Sequence, residues 1–584
     1  MSQCPPNWIT VPANEISDAI VAAMALGGVK YLFFTSGSDI MFFQEAIAKA
    51  QAKGLEAPKL IVMTHEHANL NAALGYAAVT GRPAASAVHV DVGTQHYGCA
   101  LHTAHWAELP VLIMAGAPPT AYNGSMRGGR DGAHFWLQET LDQNGIARPY
   151  VKWDHRLEFQ DNPGLIVSRA LQVAQSQPPG PVYLSLPREV AFRKCDGAAF
   201  PTTKQLGISR PSAPDADGIR ELAQRLVSAH NPLVIISRSG RNPATVPALV
   251  EFCELLALPV VEGSNRAYQC FPYNHPLYQS DELYKGNLSL ADVDVACVID
   301  VDVPWMHGKG PGPDAFVGVI GVDSIATKIP TFDFEANLRI NSDPMNAIAA
   351  LRTAAIQLEL PADRIKQRYS KWAETTSRRK EEFKKQALAS AEKDPIDPAW
   401  LAYQICEALD DNCIIVDDTM PTNPLVRYLK NSKPGSYFRN PGSGGGWAPG
   451  AALGVKLGAP ERDVIAVSGD GFYMFSSSTS AIWAAKHYNA PFMTVIFQNR
   501  SWHTGTHATA KYYPDGYSVR GGLDGGYFDP PMDFAKEAEA AGAYAENVRD
   551  PADIAPALRR GLEKIRAGVP VLISVWLPRH LQDS

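Results

Sequence analysis

The sequence of 584 residues lacks several features that would assign it to common classes of protein. It has no run of about 18 apolar residues, which a membrane-spanning helix needs, and its start has no charged stretch followed by an apolar one. Its eight cysteines are scattered and form no C-x-x-C pair, which argues against a disulfide framework or a zinc site. We therefore expect a protein of the reducing cytoplasm, with free, buried thiols and no membrane partner.

Concentrated positive charge and nucleotide-binding fingerprints are also missing. The chain has 53 basic and 60 acidic residues, and its densest charged run, Arg378 to Lys385, alternates in sign like a solvated helix face. No G-x-x-x-x-G-K-[ST] motif occurs, and no G-x-G-x-x-G follows a first strand. These absences argue against a nucleic-acid partner and a P-loop enzyme, and they make a nicotinamide dehydrogenase the weaker alternative.

Helix-like and strand-like segments alternate along three long stretches of the chain. At about 150 residues per domain, the length predicts three to four domains. Alternation of this kind predicts an α/β fold with doubly wound parallel sheets. We predict domains at 1–195, 217–356 and 396–584. The polar, Pro-rich segment 196–216 and the charged, helical segment 357–395 are predicted as linkers.

Candidate metal ligands follow two strands of the third block. The strand DVIAVSG ends at Gly469-Asp470-Gly471, and after a helix-like segment the strand PFMTVIFQ ends just before Asn499. Because ligands bind at the carboxyl ends of parallel strands, we expect Asp470 and Asn499 to lie side by side. Their oxygens suit Mg²⁺, and Gly469 and Gly471 would let the backbone close on a diphosphate. Taken alone, however, Gly-Asp-Gly is more often a turn.

The spacing resembles the signature of thiamine-diphosphate enzymes, in which GDG is followed, one helix and one strand later, by NN. Gln498 replaces the first Asn, and Asn499 keeps the ligand position. The resemblance implies a third metal ligand at the backbone carbonyl of Ser501. It also implies a glutamate at the end of a strand in the first block, and Glu66 in KLIVMTHEHANLNAALGYA fits.

In this family the glutamate binds the aminopyrimidine ring of the cofactor. A carboxylate on the ring nitrogen drives the imino tautomer that deprotonates the thiazolium carbon. The segment His65-Glu66-His67 has an alternative interpretation as a metal pair, but position 69 is Asn, so the H-E-x-x-H spacing of a zinc protease fails. The resemblance therefore predicts thiamine diphosphate and Mg²⁺ as cofactors, with Glu66 as the residue that starts catalysis.

The resemblance extends over most of the chain and is to the acetolactate-synthase-like branch. Residues 88–116 resemble its strand, Gly-rich turn and helix, and residues 131–153 place Gln138 at its AFQE glutamine. The stretch SGGGWAPGAALG, which begins at Ser443, resembles the loop that holds the pyrimidine. This branch implies pyrimidine-binding, middle and diphosphate-binding domains in that order. It also implies a homodimer or homotetramer, because the glutamate and the metal come from different subunits.

Some positions depart from that pattern. Gly445 stands where the family has a bulky aliphatic residue that wedges the cofactor into a bent V shape, so either a neighbour such as Trp447 supplies the wedge or the V is held less tightly. The positions that shape the second-substrate pocket of acetolactate synthases are Thr504, Gly505 and Ala508 here. The departures favour a relative of the acetolactate synthases over an acetolactate synthase itself.

The predicted site region is rich in histidine, which can relay protons near neutral pH. The residues are His65, His67, His89, His96, His102, His105, His134, His503 and His507. A structural role is the ordinary interpretation for any single one. We select His96 and His503, followed by His134, as catalytic candidates, and Gln138 as a residue that faces substrate. Thr422 and Asn423 resemble the first diphosphate loop, so they join Ser443, Gly445, Gly469, Asp470, Gly471 and Asn499 as predicted cofactor contacts.

The resemblance implies cleavage or formation of a C–C bond next to a carbonyl of a small substrate through an enamine intermediate. The reaction classes are 2-oxo acid decarboxylation, carboligation and 2-hydroxy ketone lysis. A 2-hydroxyacyl-CoA lyase or oxalyl-CoA decarboxylase-like enzyme is the alternative, although only LPRHLQDS follows the last strand. A non-catalytic binding protein that keeps the fold is another alternative. The middle block resembles a domain that binds flavin in some relatives, so FAD stays an alternative cofactor. The block has no G-x-G-x-x-G fingerprint, which argues against it.

Overall fold

The computed structural model describes residues 5, 7–263, 266–280, 283, 287–420, 423–430 and 432–579, and these form the α/β fold with parallel sheets that the sequence predicts. The strands of the first part are β1 (Ile9–Val11), β2 (Tyr31–Phe34), β3 (Lys59–Val62), β4 (Ala84–Val88), β5 (Val111–Ala117), β6 (Asp154–Arg156), β7 (Val182–Pro187) and β8 (Ala198–Phe200). Six of them form a parallel sheet in the order β3-β2-β4-β5-β7-β6, and β1 pairs antiparallel with β8. Its helices are Ile16–Leu26, Phe42–Ala52, Glu66–Thr80, Val90–His96, Cys99–Ala107, His134–Leu137, Gln143–Ala147, Arg148–Tyr150 (3-10), Pro163–Gln175, Arg188–Ala191 and Thr203–Leu206.

The middle part contains a five-stranded parallel sheet. Its strands are β9 (Pro232–Ile236), β10 (Val260–Glu262), β11 (Val295–Ile299), β12 (Phe316–Gly321) and β13 (Leu338–Asn341), in the order β10-β9-β11-β12-β13. Its helices are Ala216–Ser228, Ser239–Arg241 (3-10), Thr245–Leu256, Leu290–Asp292 (3-10) and Pro344–Ile356. The 28-residue helix Ala362–Ala389 leads from this sheet to the third.

The third part contains another six-stranded parallel sheet. Its strands are β14 (Cys413–Asp418), β15 (Tyr437–Arg439), β16 (Asp463–Gly469), β17 (Met493–Gln498), β18 (Tyr544–Val548) and β19 (Val571–Trp576), in the order β15-β14-β16-β17-β19-β18. Its helices are Pro398–Ala408, Leu425–Tyr428, Ala448–Gly458, Asp470–Phe475, Ser478–His487, His503–Tyr512, Tyr517–Arg520, Phe534–Ala540, Pro551–Asp553 (3-10) and Ile554–Arg566. Strands such as β14 and β17 are buried throughout, as expected of a sheet covered by helices on both faces.

The first and third sheets share one connectivity. Numbered from the first parallel strand of each sheet, both have the order 2-1-3-4-6-5. In both sheets the strand order therefore reverses at the same place, between β2 and β4 in the first and between β14 and β16 in the third. Open parallel sheets bind ligands in the crevice at such a reversal.

Several helices begin at an Asx-Pro pair that the sequence makes visible. Asn162 caps the helix that begins at Pro163 by accepting the N–H of Leu165, and Asp343 caps the helix that begins at Pro344 in the same way. Proline suits the first helical position because its φ angle is already helical and its missing N–H would be unpaired there.

Two helices connect the first sheet to the third. The glutamate helix (Glu66–Thr80) follows β3, and the glycine helix (Ala448–Gly458) follows β15. A Cβ atom built on Gly454 would lie 1.9 Å from the carbonyl oxygen of Ala72, and one built on Gly75 would lie 2.1 Å from that of Ala451. The two helix backbones are therefore in direct contact, which leaves no space for side chains at these glycines.

The segment 196–216, predicted as a linker, contains strand β8 and the short helix Thr203–Leu206, while 357–395 is helical as predicted. No helix among the described residues has the length and apolar character to cross a membrane. Within the same residues the cysteines are free, and five of them are buried: Cys253, Cys270, Cys297, Cys406 and Cys413.

Candidate functional site

The carboxyl edge of the third sheet places Asp470 and Asn499 together. β16 and β17 pair in parallel with Gly469 opposite Phe497, so Asp470 and Asn499 each follow the end of a neighbouring strand. The Asp470 carboxylate is buried and accepts the N–H groups of Arg500 at 2.5 Å and Gly471 at 2.8 Å. Burial raises the pKa of Asp470 to about 7. A buried carboxylate at an open sheet edge, with its charge unfavourable, is suited to bind a cation.

A cavity of about 490 Å³ opens beside these two residues. The predicted site residues that line it are Ser443, Gly469, Asp470, Gly471, Asn499, Ser501 and His503. The Asn499 amide oxygen accepts the N–H of Ser501 at 3.0 Å and its hydroxyl at 2.7 Å. The predicted ligand set therefore surrounds one cavity. The other wall is aromatic, with Phe472, Phe475 and Trp502.

The glycine loop (residues 443–446) closes the cavity toward the glycine helix and is held by Asp418. One oxygen of the Asp418 carboxylate accepts the N–H groups of Gly446 at 2.9 Å and Trp447 at 2.8 Å, and the other accepts Asn440 Nδ2 at 2.8 Å. Burial raises the pKa of Asp418 to about 6. Ser443 has a φ of +56°, a left-handed backbone that is uncommon outside glycine. Sequence reasoning missed Asp418, although it ends the buried strand CIIVDD.

Some predicted cofactor contacts lie elsewhere. Among the residues that the structure describes, Asn423 and Gly445 do not line the cavity, and the Asn423 side chain accepts the N–H of Leu425 instead. Thr422 lies outside the described residues. The aromatic neighbour proposed for the wedge, Trp447, is 3% exposed and does not line the cavity either.

Glu66 begins the glutamate helix at the carboxyl end of β3. The preceding residue, His65, caps this helix by accepting the N–H of His67 at 3.1 Å. A Glu66 carboxylate oxygen lies 3.2 Å from Nδ1 of His96, whose ring stacks on that of His65 with centroids 5.5 Å apart. Burial lowers the pKa of His65. The structure thus brings two predicted catalytic residues, Glu66 and His96, into contact.

None of the described residues that line the cavity comes from the first part of the chain, and Glu66 is not among them. First-part histidines do reach the loop around it. His67 Nε2 lies 3.2 Å from the carbonyl oxygen of Gly446, and His102 Nε2 lies 2.8 Å from that of Gly442. Within one chain, two histidines of the first part therefore contact the backbone at and beside the glycine loop, while Glu66 does not line the cavity.

A second polar cluster lies at the strand-order reversal of the first sheet. Asp39, fully buried, contacts Nδ1 of His89 with one oxygen and accepts the N–H of Val90 at 3.0 Å with the other. His89 Nε2 lies 2.9 Å from the Gln138 side-chain oxygen. Burial alone would lower the pKa of His89, but the hydrogen bond and charge of Asp39 raise it. Beside this chain, Ser38 Oγ lies 3.2 Å from Nε2 of His134.

This cluster joins Gln138 and His134, which the sequence predicts as site residues, to His89 and Asp39. His89 is one of several histidines in the predicted site region, and sequence reasoning does not identify Asp39. A signal was present, because Asp39 and His89 follow two buried strands, β2 and β4, that a parallel sheet could place side by side. Asp39 at one imidazole nitrogen and the Gln138 oxygen at the other fix the orientation of the His89 ring.

His503 lines the cavity next to Trp502 of the aromatic wall. His503 begins the helix His503–Tyr512, and its ring lies parallel to that of His507 with centroids 6.3 Å apart. Trp502 stacks on Phe475 with centroids 5.3 Å apart. Of the histidines selected from the sequence, His503 is therefore the one that lines the cavity directly.

Known proteins match both ends of this chain. Residues 14–146 match the model of the thiamine pyrophosphate enzyme N-terminal TPP binding domain, and residues 421–575 match that of the C-terminal TPP binding domain. Thiamine pyrophosphate and thiamine diphosphate are the same compound.

Relatives match over nearly the full length. Benzoylformate decarboxylase of Pseudomonas aeruginosa is 25% identical over 88% of this chain and 91% of that one. The probable acetolactate synthase large subunit of Methanocaldococcus jannaschii is 24% identical over 96% of this chain and 91% of that one. The crystal structure of benzoylformate decarboxylase from Polynucleobacter necessarius has the same fold, with a TM-score of 0.76 and 20% identity over 98% of this chain and 100% of that one. This chain therefore carries the N-terminal and the C-terminal TPP binding domain of the thiamine pyrophosphate enzymes.

Proposed function

We propose that this protein binds thiamine diphosphate with Mg²⁺ and cleaves a C–C bond next to the carbonyl of a small 2-oxo acid. Carboligation, in which the same bond is formed with a second carbonyl compound, is the related activity. The cofactor supplies the electron-accepting ring that makes such bond cleavage feasible. One observation carries the proposal: the buried Asp470 carboxylate and Asn499 lie together on the wall of a 490 Å³ cavity at the strand-order reversal of the third sheet.

The residues of this wall fit a magnesium diphosphate. Asp470 and Asn499 would each supply an oxygen ligand, and the Ser501 carbonyl would supply a third. Mg²⁺ takes its remaining ligands from phosphate and water. A Cβ atom built on Gly469 would meet nothing within 4 Å, so the backbone here is open to a phosphate group. The cation would also relieve the unfavourable burial of the Asp470 charge.

Two subunits would be needed for a complete site. Glu66 does not line the cavity of its own chain, although the family role of this residue requires contact with the cofactor. We propose that Glu66 of the partner subunit reaches the cavity, which makes the protein at least a homodimer. Buried free thiols fit a reducing compartment, and we place the protein in the cytoplasm.

We propose that the first-sheet cluster of the partner subunit, the subunit that would also contribute Glu66, forms the substrate end of the site. The hydrogen bond and charge of Asp39 raise the pKa of His89, which favours its protonated, cationic form. That cation would bind the carboxylate of a 2-oxo acid through Nε2 once the substrate displaces the Gln138 oxygen from it, with the Ser38 hydroxyl and His134 nearby. It would also hold a proton for the later protonation step. Phe472, Phe475 and Trp502 would exclude water from the cavity, and they suit an apolar or aromatic substrate side chain. The name of the benzoylformate decarboxylase relative supports the same class.

The first experiment measures the cofactor itself. Purified protein is incubated with thiamine diphosphate and Mg²⁺, desalted and acid-extracted, and thiochrome fluorescence is quantified per subunit. We expect about one equivalent per subunit, lost with a chelator and lost in Asp470→Ala. The matched control is Asp411→Ala, an exposed carboxylate at the opposite end of the same sheet, which should retain the cofactor. Wild-type protein that retains none would refute the proposal and favour a binding protein.

The second experiment tests the substrate class. The loaded protein is mixed with phenylglyoxylate, pyruvate or benzoin, and CO₂ and aldehyde products are measured. We expect CO₂ from a 2-oxo acid, and a loss of this activity in His89→Ala with cofactor retention unchanged. Cleavage of benzoin without any decarboxylation would show that the carboxylate subsite is assigned wrongly.

A further inference from the structure

The space beside Gly445 is already filled by an aromatic side chain from another element. A Cβ atom built on Gly445 would lie 2.8 Å from Cδ1 of Phe472 and 3.1 Å from Cδ2 of Phe475. Such distances are too short for an ordinary carbon contact. Gly445 is not among the residues with positive φ, so its backbone would accept other residues. Glycine is therefore required here by the neighbouring rings and not by the conformation of the loop.

Phe472 lines the cavity, and its ring fills the space beside Gly445 of the glycine loop. It is the third residue of the helix Asp470–Phe475, it is half-buried, and it lines the cavity together with Ser443 of the glycine loop. Phe475 is 55% exposed and stacks on Trp502, toward the open side. Phe472 thus connects the glycine loop, which its ring contacts, with the carboxyl ends of β16 and β17, where Asp470 and Asn499 lie (the metal edge).

The chemistry of the cofactor demands an apolar surface at such a place, and this step rests on the proposed function. Thiamine diphosphate has a pyrimidine and a thiazolium ring joined by a single methylene group. The amino group of the first ring can reach the acidic carbon of the second only when both rings are folded toward each other. A bulky side chain between the glycine loop, which would hold the pyrimidine, and the metal edge, which would hold the diphosphate, enforces this fold.

We propose that Phe472 supplies this surface in place of the side chain that Gly445 lacks. The contact comes from the helix that carries Asp470, so one short helix both binds the metal and bends the cofactor. Trp447 does not serve, because it is buried away from the cavity and its backbone N–H is bonded to Asp418. Phe472 is in this sense a positioning residue.

The test moves the bulky side chain from position 472 to position 445. The variants are Phe472→Ala, Phe472→Leu, Gly445→Leu and the double variant Gly445→Leu/Phe472→Ala. Each is loaded with thiamine diphosphate and Mg²⁺, the cofactor is counted as thiochrome, and the rate of deuterium exchange at its acidic carbon is measured by NMR after acid quenching. Met474→Ala is the matched control, because Met474 lies on the same helix, packs into the core and does not line the cavity.

We expect Phe472→Ala to keep about one cofactor per subunit and to slow the exchange by about 10²-fold, the usual cost of misplacing a reacting group by about 1 Å. Phe472→Leu should retain most of the exchange rate. Gly445→Leu should lose cofactor, because the new leucine side chain and the Phe472 ring would occupy the same space. The double variant should regain both cofactor binding and deuterium exchange. Met474→Ala should exchange like the wild type.

Exchange at the wild-type rate in Phe472→Ala would overturn the inference and leave the proposed function intact. A double variant that stays folded, by its thermal transition, but exchanges no faster than Phe472→Ala would also overturn it. If Gly445→Leu fails to fold, the exchange rates of Phe472→Ala and Phe472→Leu are compared instead, and equal rates in these two variants would overturn the inference. A wild-type protein that retains no cofactor would overturn the proposed function and this inference together.

Discussion

Replacing Gly454 with alanine tests the contact between the glutamate helix and the glycine helix. The new Cβ atom would lie 1.9 Å from the carbonyl oxygen of Ala72 and 2.7 Å from the backbone nitrogen of Tyr76. Since carbon and carbonyl oxygen normally approach no closer than about 3.3 Å, the helices would have to separate by about 1.4 Å. Alanine gains about 1 kcal/mol in helix propensity, so any loss of stability must come from this separation.

Overpacking a tight interface typically costs about 1–3 kcal/mol, and we expect the upper end, about 3 kcal/mol, because both atoms in the clash belong to rigid backbone. After the gain of about 1 kcal/mol in helix propensity, the net loss of stability is about 2 kcal/mol. For a domain of this size, 2 kcal/mol corresponds to about 4–8 °C in the midpoint of the first calorimetric transition. Differential scanning calorimetry of the wild type and Gly454→Ala measures this shift.

The matched control is Gly505→Ala, also a glycine in a helix. A Cβ atom there would meet only Trp502 Cβ, at 4.0 Å, so this variant should melt at or above the wild-type temperature. A Gly454→Ala protein that melts no lower than the wild type would show that the two helices are not packed backbone to backbone.

Three further predictions concern the site. Glu66→Gln should retain the cofactor and slow deuterium exchange at its acidic carbon by about 10²- to 10⁴-fold, as measured by NMR; an unchanged rate would remove Glu66 from the mechanism. Asp39→Asn should lower the pKa of His89. A histidine whose pKa is raised in the folded state stabilises the fold at pH values below its unfolded pKa, and this stabilisation is lost as pH rises through its folded pKa. In urea titrations the variant should therefore be less stable than wild type at low pH and approach wild-type stability at high pH. A stability difference independent of pH would contradict the assigned pair. If each site combines two subunits, mixing inactive Glu66→Gln with inactive Asp470→Ala subunits should restore about a quarter of wild-type activity, because about half of the dimers are mixed and each mixed dimer has one intact site. No recovery after subunit exchange would place both residues in one subunit.

The edge of the third sheet was predictable because its determinants are local. The strand DVIAVSG, the following helix and the strand PFMTVIFQ each carry their own pattern, and strands linked by one helix lie side by side in most parallel sheets. The neighbouring positions of Asp470 and Asn499 follow from that pairing. Their roles as ligands stay predictions, as do the domain boundaries.

The contact between Asp39 and His89 could not be read from local patterns. These residues follow β2 and β4, which become neighbours only because β3 lies on the other side of β2. The same limit applies to Phe472 beside Gly445, since the contact depends on how closely a loop approaches a helix that follows it along the chain. Strand β8 was missed within 196–216 because three residues form a strand there only by pairing with β1.

The contact between the glutamate helix and the glycine helix has a further property. Gly75 faces Ala451, three residues before Gly454, and Gly454 faces Ala72, three residues before Gly75. The two helices follow equivalent strands of two sheets with equal connectivity, so the contact is reciprocal in the manner of an isologous interface, although both partners belong to one chain. The first and third parts are thus arranged like a covalently joined pseudo-dimer. Under the proposed function, the third part would bind the charged cofactor and the first part would move protons.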